Sequence, residues 1–117
     1  MPAAPIPRLR RLCLALPEAT EVETWDTPTF RVQGKIFALV STRDGSPAVW
    51  LKAPPGVQQL LVEAAPDRFF RPPYMGRAGW IGVVLADADW AEVAALVRRS
   101  FALVAPKRLA RGIAGDG

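Results

Sequence analysis

The stretch TEVETWDTPTFRVQGKIFALVSTRDGSPAVWL, residues 20–51, decides the fold class of this chain. It contains four short runs, residues 21–25, 29–33, 35–42 and 48–52, that are rich in β-branched and aromatic side chains. Gly34 and the Asp44-Gly45 pair separate the later runs, and such residues tolerate the positive φ of tight hairpin turns. The stretch therefore predicts an antiparallel meander of three to four strands.

Apolar residues recur at helical spacing on both sides of this stretch. The first set predicts a helix that ends at Pro17, and it consists of Ile6, Leu9, Leu12, Cys13 and Leu16. A second helix is predicted between Pro55 and Pro66, because proline is favoured at a helix start and stops a helix that reaches it. The residues expected on its buried face are Val57, Leu60, Leu61 and Ala64.

One or two further strands, including residues 80–85, precede a third predicted helix. Asp89 and Glu92 have the spacing of a capping box, so this helix is expected from Asp89 to about Leu103. The order of elements predicts an α+β fold in which helices pack against an antiparallel sheet. We expect a single domain over residues 1–117, with its core in residues 6–109 and a flexible tail in residues 110–117.

Composition restricts the classes of function that the chain can have. No apolar run approaches the roughly 20 residues of a membrane-spanning helix, and the N-terminus lacks the order of a secretory signal. We therefore expect a cytoplasmic protein that does not enter a membrane. The sequence has one cysteine and no histidine, which argues against internal disulfides, zinc sites and histidine-dependent catalysis.

Two remaining candidates for chemistry have simpler structural explanations. Cys13 lies on the apolar face of the first helix with no histidine to activate it, so we interpret it as core packing. The acidic stretch of residues 18–26 could bind a metal ion, but its carboxylates lie on a predicted loop and edge strand. We predict no catalytic residue, no metal site and no cofactor.

The net charge of +4 is unevenly distributed along the chain. Residues 1–67 carry seven basic and seven acidic side chains, whereas residues 68–117 carry eight basic and four acidic ones. The whole excess, 8 − 4 = 4, therefore belongs to the second part. Such charge attracts polyanions, although it also serves to keep a protein in solution.

Residues 68–80 combine three arginines, four aromatic residues and two consecutive prolines without an acidic residue. Arginine binds phosphate through its planar fork, and aromatic rings stack on sugars and bases, so this mixture is typical of nucleic-acid binding. The alternative is a structured loop whose aromatic residues cover the edge of the sheet while its arginines are solvated. Residues 107 and 108, beyond the third helix, are further cations that a partner could reach.

Five segments, in this order along the chain, resemble the MmcQ/YjbR family of small proteins. They are CLALP (13–17), TWDTPTFRVQGKIFA (24–38), LKAPP (51–55), PYMGRAGW (73–80) and VAPKRL (104–109). The resemblance implies a compact domain similar to type III secretion chaperones and to the frataxin-like CyaY fold. It also implies DNA binding through a double-wing arrangement, in which hairpins of the sheet approach the duplex. It carries over no catalytic residue.

Seven residues in or beside these segments are the candidates for DNA binding: Lys35, Lys52, Arg71, Tyr74, Arg77, Lys107 and Arg108. If they share one face, they neutralise phosphates and give affinity with little sequence preference, because no recognition helix is evident. The alternative function is a protein-interaction or chaperone-like module, or a homodimer. In that case exposed aromatic rings at Phe69, Phe70 and Tyr74 would hold the partner.

Overall fold

The computed structural model describes residues 4–114 and contains a six-stranded sheet. In chain order the elements are α1 (Pro5–Leu14), β1 (Thr20–Thr24), β2 (Thr27–Val32), β3 (Lys35–Arg43), β4 (Ser46–Leu51), α2 (Val57–Ala64), β5 (Phe69–Phe70), a 3₁₀ turn (Met75–Ala78), β6 (Ile81–Val84), α3 (Trp90–Val104) and α4 (Lys107–Ala114). The predicted α+β fold, with helices packed against an antiparallel sheet, is confirmed.

The strands lie in the order β1-β2-β3-β4-β6-β5, and every neighbouring pair is antiparallel. The first four strands form the predicted meander through three two-residue turns, at residues 25–26, 33–34 and 44–45. All six turn residues have positive φ, between 50° and 84°, as type I′ hairpin turns require. Successive turns of a meander alternate between the two ends of the sheet. This alternation determines at which end the charged residues of each turn lie.

The core lies between one face of the sheet and the helices. Phe37 of β3 and Phe101 of α3 meet edge to face at 5.3 Å between ring centroids, and neither is exposed to solvent. Leu9 and Cys13 of α1 belong to the same buried cluster. Ser100 joins the layers by hydrogen bonds, because its hydroxyl donates to the Phe37 carbonyl at 2.6 Å and accepts from the Lys52 amide at 2.9 Å.

A β-bulge in β3 determines which side chains face away from this core. Arg31 pairs with Ile36 while Phe30 pairs with Ala38, so Phe37 is an extra residue in β3. Phe37 and Ala38 therefore both belong to the core, and Ile36 lies on the opposite face. Strand pairing in turn places Trp50 of β4 opposite Leu39, on the side of the sheet that carries no helix in residues 4–114.

The buried face predicted for α2 is partly wrong. Leu60 is 68% exposed and Ala64 is also exposed, whereas Val57, Leu61 and Val62 pack against the core. The rotation of the helix follows from Gln58, whose side-chain amide donates to the carbonyls of Gly76 and Trp80. That anchor turns the Leu60 side of the helix towards solvent.

The end of the chain also differs from the prediction, which has no element after Pro106. Instead, Pro106 ends α3 and begins α4, since its carbonyl accepts from the amides of Leu109 and Ala110, at 3.0 Å in both cases. Proline suits the start of a helix as well as the position after one. Residues 110–114 of the predicted tail are thus helical, and residues 115–117 lie outside the described part. Within residues 4–114, no helix is both long and apolar enough to cross a bilayer.

Candidate functional site

One end of the sheet brings together several of the predicted DNA-binding residues. Lys35 follows the β2–β3 turn, and Lys52 directly follows β4. Leu51 pairs with both Ala38 and Ile81, so the start of β3, the end of β4 and the start of β6 lie at the same end. The loop of residues 71–80 leads into β6 and therefore belongs to this end too. We call this end of the sheet the basic end.

The loop contributes two exposed arginines, Arg71 and Arg77, and the tyrosine Tyr74, which is 94% exposed. Together with Pro72, Pro73 and Gly76, these three residues line a depression of about 620 Å³. The Arg71 side chain crosses Gly76 so closely that a Cβ there would lie 2.4 Å from Arg71 Cγ. Glu63 of α2 also lines a depression with Arg71, although no ion pair joins the two within the described residues.

Helix α4 reaches the basic end through Glu18. The Arg108 guanidinium donates to one Glu18 carboxylate oxygen at 2.9 Å, and the Gln33 amide donates to the other at 2.8 Å. Gln33 belongs to the β2–β3 turn, so this contact places Arg108 and its exposed neighbour Lys107 near Lys35. The hydrogen bond from Arg108 holds the pKa of Glu18 below its ordinary value. All seven predicted residues therefore lie at the basic end, and Arg108 is the one among them with an acidic partner there.

Acidic side chains gather at the opposite end of the sheet. This acidic end consists of the other two hairpin turns and the segments that precede β5 and α3, and its exposed carboxylates are Asp26, Asp44, Asp67, Asp87 and Asp89. Two cations lie there as well. Arg68 forms an ion pair with Glu92 at 3.1 Å, and Arg43 donates to the Pro66 carbonyl at 3.0 Å. Charge is thus partly separated along the strand direction: the seven candidate residues lie at one end of the sheet, and most of the aspartates lie at the other together with Arg43 and Arg68.

A groove of about 800 Å³ crosses the face of the sheet that carries no helix. Its lining residues are mostly apolar or aromatic: Trp25, Thr27, Ile36, Leu39, Val40, Ser41, Thr42, Trp50, Tyr74 and Met75. Trp25, at the tip of the β1–β2 hairpin, is 84% exposed. The indole Nε1 of Trp50 is buried, and no acceptor within residues 4–114 contacts it.

Comparison with known proteins identifies the family. The YjbR family model matches residues 14–103, well over half of the 117 residues. The chain belongs to the YjbR family. Its structure is similar to the crystal structure of Deinococcus radiodurans protein DR2400, which has the family-model domain DUF419. The TM-score is 0.77 and the identity 22%, over 93% of this chain and 87% of that one. No curated protein matches the chain.

In this YjbR protein the family match covers the whole sheet and most of α3. It includes Lys35, Lys52 and the arginines of the loop, and it ends before α4. Lys107 and Arg108 therefore lie outside the matched residues, although the Glu18 contact brings them to the same end of the sheet. The resemblance predicted from short sequence segments is confirmed at the level of the family.

Two of the aromatic residues predicted to hold a partner are in the wrong place for that role. Phe69 is 1% exposed and belongs to the core. Phe70 is half-buried, because its ring lies over Gly82 while the Arg43 guanidinium covers it at 4.9 Å from the ring centroid. The two residues form β5, so they cover the edge of the sheet. Trp25 takes their place as an exposed aromatic residue, because the structure puts it in the β1–β2 turn, at the end of a run that the sequence predicts to be a strand.

The other candidates for chemistry have structural roles in this YjbR protein. Cys13 is fully buried in the core, and burial raises the pKa of its thiol to about 12. Within the predicted acidic stretch, Glu21 accepts from Arg10 at 2.8 Å. Across residues 4–114, no three acidic or cysteine side chains converge as a metal site would need. Burial of Cys13 is the outcome expected for core packing.

Proposed function

We propose that this YjbR protein binds DNA through the basic end of its sheet and acts by binding, not by catalysis, in the cytoplasm. The observation that supports the proposal most strongly is the separation of charge along the strands. Cations from a hairpin, a strand end, a loop and a helix lie at one end, where Arg108 of the helix pairs with Glu18. A polyanion approaching that end meets an attractive potential, whereas the aspartates repel it from the other.

The geometry favours recognition of the phosphate backbone. The candidate cations belong to turns, loops and the start of α4, and none lies along the exposed side of a long helix that could enter a major groove. Binding of this kind depends steeply on salt, because each neutralised phosphate releases counterions. If four of the cations reach phosphates, log K falls by about 3.6 for each tenfold rise in salt.

The test is the binding of a fluorescent 20-base-pair duplex, measured by anisotropy across a salt series. We expect binding at low salt with the steep dependence given above. The variant K35Q/K52Q/R77Q should lower the affinity at least tenfold and reduce the salt slope by about 3. These three residues are chosen because none has an acidic partner among the described residues.

The matched control is R8Q/R43Q/R68Q, which removes the same charge from the acidic end, since Arg43 and Arg68 lie there and the Arg8 guanidinium lies over Trp90, the first residue of α3, at 4.6 Å from the ring centroid. Circular dichroism should show that both triple variants are folded. An equal loss of affinity in the two variants would mean that net charge alone drives binding and that the basic end has no special role. Absence of binding by the wild-type protein at low salt would refute the proposal.

A protein-interaction module is the second candidate. The two exposed aromatic residues beside the apolar groove, Trp25 and Tyr74, support it, since exposed apolar patches commonly mark contact surfaces. If the contact is with a second copy of the chain, light scattering should give a dimer mass that falls on dilution. A monomer at every concentration would exclude the homodimer.

A further inference from the structure

We propose that the groove on the face of the sheet without helices holds an unstacked base of a single-stranded nucleic acid. Arg71 and Arg77 would contact the adjoining phosphate. This inference rests on the proposed function, and it specifies which form of nucleic acid the site takes. The proposed occupant is one nucleotide of a single strand. Its planar base needs an aromatic surface, and its charged phosphate needs a cationic surface beside it.

The groove has the size and lining that a base requires. Its volume of about 800 Å³ lies within the range of about 300–1,000 Å³ typical of small-ligand sites. Three aromatic side chains, Trp25, Trp50 and Tyr74, share the lining with the aliphatic residues Ile36 and Leu39. Aromatic faces bind bases with little preference for their identity, because every base has a π-face.

A second surface, suited to phosphate, adjoins the groove. Tyr74 lines both the groove and the depression that contains Arg71 and Arg77. Arg71 and Arg77 are therefore separated from the groove by Tyr74 alone, and a guanidinium group can form bidentate contacts with a phosphate. A ligand that extends past Tyr74 meets an aromatic surface on one side and a cationic one on the other.

The backbone at the two exposed aromatic residues gives independent support. Trp25 has a φ of 52° and Tyr74 a φ of 64°, in the region where bulky residues are rare. Asn or Gly would be better suited to the Trp25 position in a two-residue turn. Neither ring stabilises the fold by burial, since they are 84% and 94% exposed. Backbone strain at a residue whose side chain is exposed is typical of a functional site.

A single strand fits these surfaces better than a duplex does. The bases of a duplex are stacked on one another, so their faces cannot enter a groove lined by aromatic rings. An unpaired base presents a free face together with acceptors on its edge. The indole N–H of Trp50 lacks an acceptor within the described residues. A base edge would supply one after a rotation of the indole.

The test compares a fluorescent oligothymidylate of twelve nucleotides with an abasic oligomer of the same length, and both with a duplex, at one low salt concentration. We expect the abasic oligomer to bind about tenfold or more weakly than oligothymidylate. W25A and Y74A should each weaken oligothymidylate binding by a similar factor, whereas W25F should retain most of it. W25A should change duplex binding by no more than about twofold, because Trp25 lies in the β1–β2 turn, outside the basic end.

The control is L60A, which removes an apolar side chain that is 68% exposed on α2, away from the groove. It should leave all three affinities unchanged. The groove does not hold a base if the abasic oligomer binds as tightly as oligothymidylate and W25A binds oligothymidylate as tightly as the wild-type protein. If duplex binding persists in that case, the proposed function stands without the groove. If neither nucleic acid binds, the proposed function itself fails. Binding of an acidic aromatic peptide that competes with oligothymidylate and depends on Trp25 would overturn the assignment in favour of a protein partner.

Discussion

Replacing Ser100 with alanine should destabilise the fold well beyond the usual effect of losing one hydroxyl group. The Ser100 hydroxyl is completely buried and holds two backbone groups from different strands. It donates to the Phe37 carbonyl at the bulge of β3 and accepts from the Lys52 amide at the end of β4. Ser100→Ala therefore removes one side chain and leaves both backbone groups without this partner.

The magnitude follows from the burial of each group. A buried polar group that loses its partner costs about 1–3 kcal/mol. We take about 2 kcal/mol for the Phe37 carbonyl, which is buried, and about 1 kcal/mol for the Lys52 amide, whose residue is half-buried and within reach of water. Their sum, about 3 kcal/mol, corresponds to a fall in Tm of roughly 10 °C or more for a domain of this size.

Urea denaturation followed by circular dichroism measures this change, and the midpoint should fall while the m-value stays constant. Ser46→Ala is the matched control, since the Ser46 hydroxyl makes no hydrogen bond with the other described residues, and it should change stability by less than about 0.5 kcal/mol. A loss below 1 kcal/mol for Ser100→Ala would show that the hydroxyl does not join α3 to the sheet as the structure indicates.

Three further predictions concern single sites. Gly82→Ala should cost about 1–3 kcal/mol, because the new Cβ would lie 2.3 Å from two atoms of the Phe70 ring, and the cost should shrink in a Phe70→Ala background when both are measured by urea denaturation. Cys13, whose pKa is raised to about 12 by burial, should resist iodoacetamide at pH 8 in the native protein and react in 6 M urea; rapid native labelling would contradict its burial. Arg108→Ala should raise the pKa of Glu18 towards its ordinary value of 4.5, as measured by NMR titration, because the hydrogen bond from Arg108 favours the ionised carboxylate. The ion pair contributes its stability above pH 4.5 and loses it as the pH falls through the lowered pKa of Glu18. An unchanged pKa would show that the ion pair does not form.

The sequence predicts the fold class because its local signals agree with one another. Gly34 and the Asp44-Gly45 pair indicate the hairpin turns, and Asp89 caps α3 as expected by accepting from the amides of Ala91 and Glu92. The rotation of α2 could not be predicted, because it depends on Gln58 bonding to carbonyls 18 and 22 residues away. The β-bulge at Phe37 is likewise set by tertiary packing, since only the core of the folded protein requires two adjacent residues on one face.

The aromatic surface of the candidate site was harder to predict than its cations. The composition of residues 68–80 indicates a basic, aromatic segment, but it does not distinguish Phe69 in the core from Tyr74 in solvent. Trp25 belongs to a strand-like run in the sequence, and its exposure follows only when the β1–β2 turn is placed at residues 25–26. The groove combines residues from β2, β3, β4 and the 3₁₀ turn, so no single stretch of sequence contains its pattern.

The clustering of the cations, by contrast, follows from counting turns. In a meander, the first and third turns lie at one end of the sheet and the second lies at the other. Asp26 and Asp44 occupy the first and third turns, whereas Lys35 follows the second turn and Lys52 directly follows the fourth strand. These charges must therefore separate once the four strands are paired in order. The order of the strands therefore places acidic and basic residues that are far apart in the sequence at opposite ends of the sheet. A chain with a net charge of +4 thus has one end that attracts polyanions more strongly than the other.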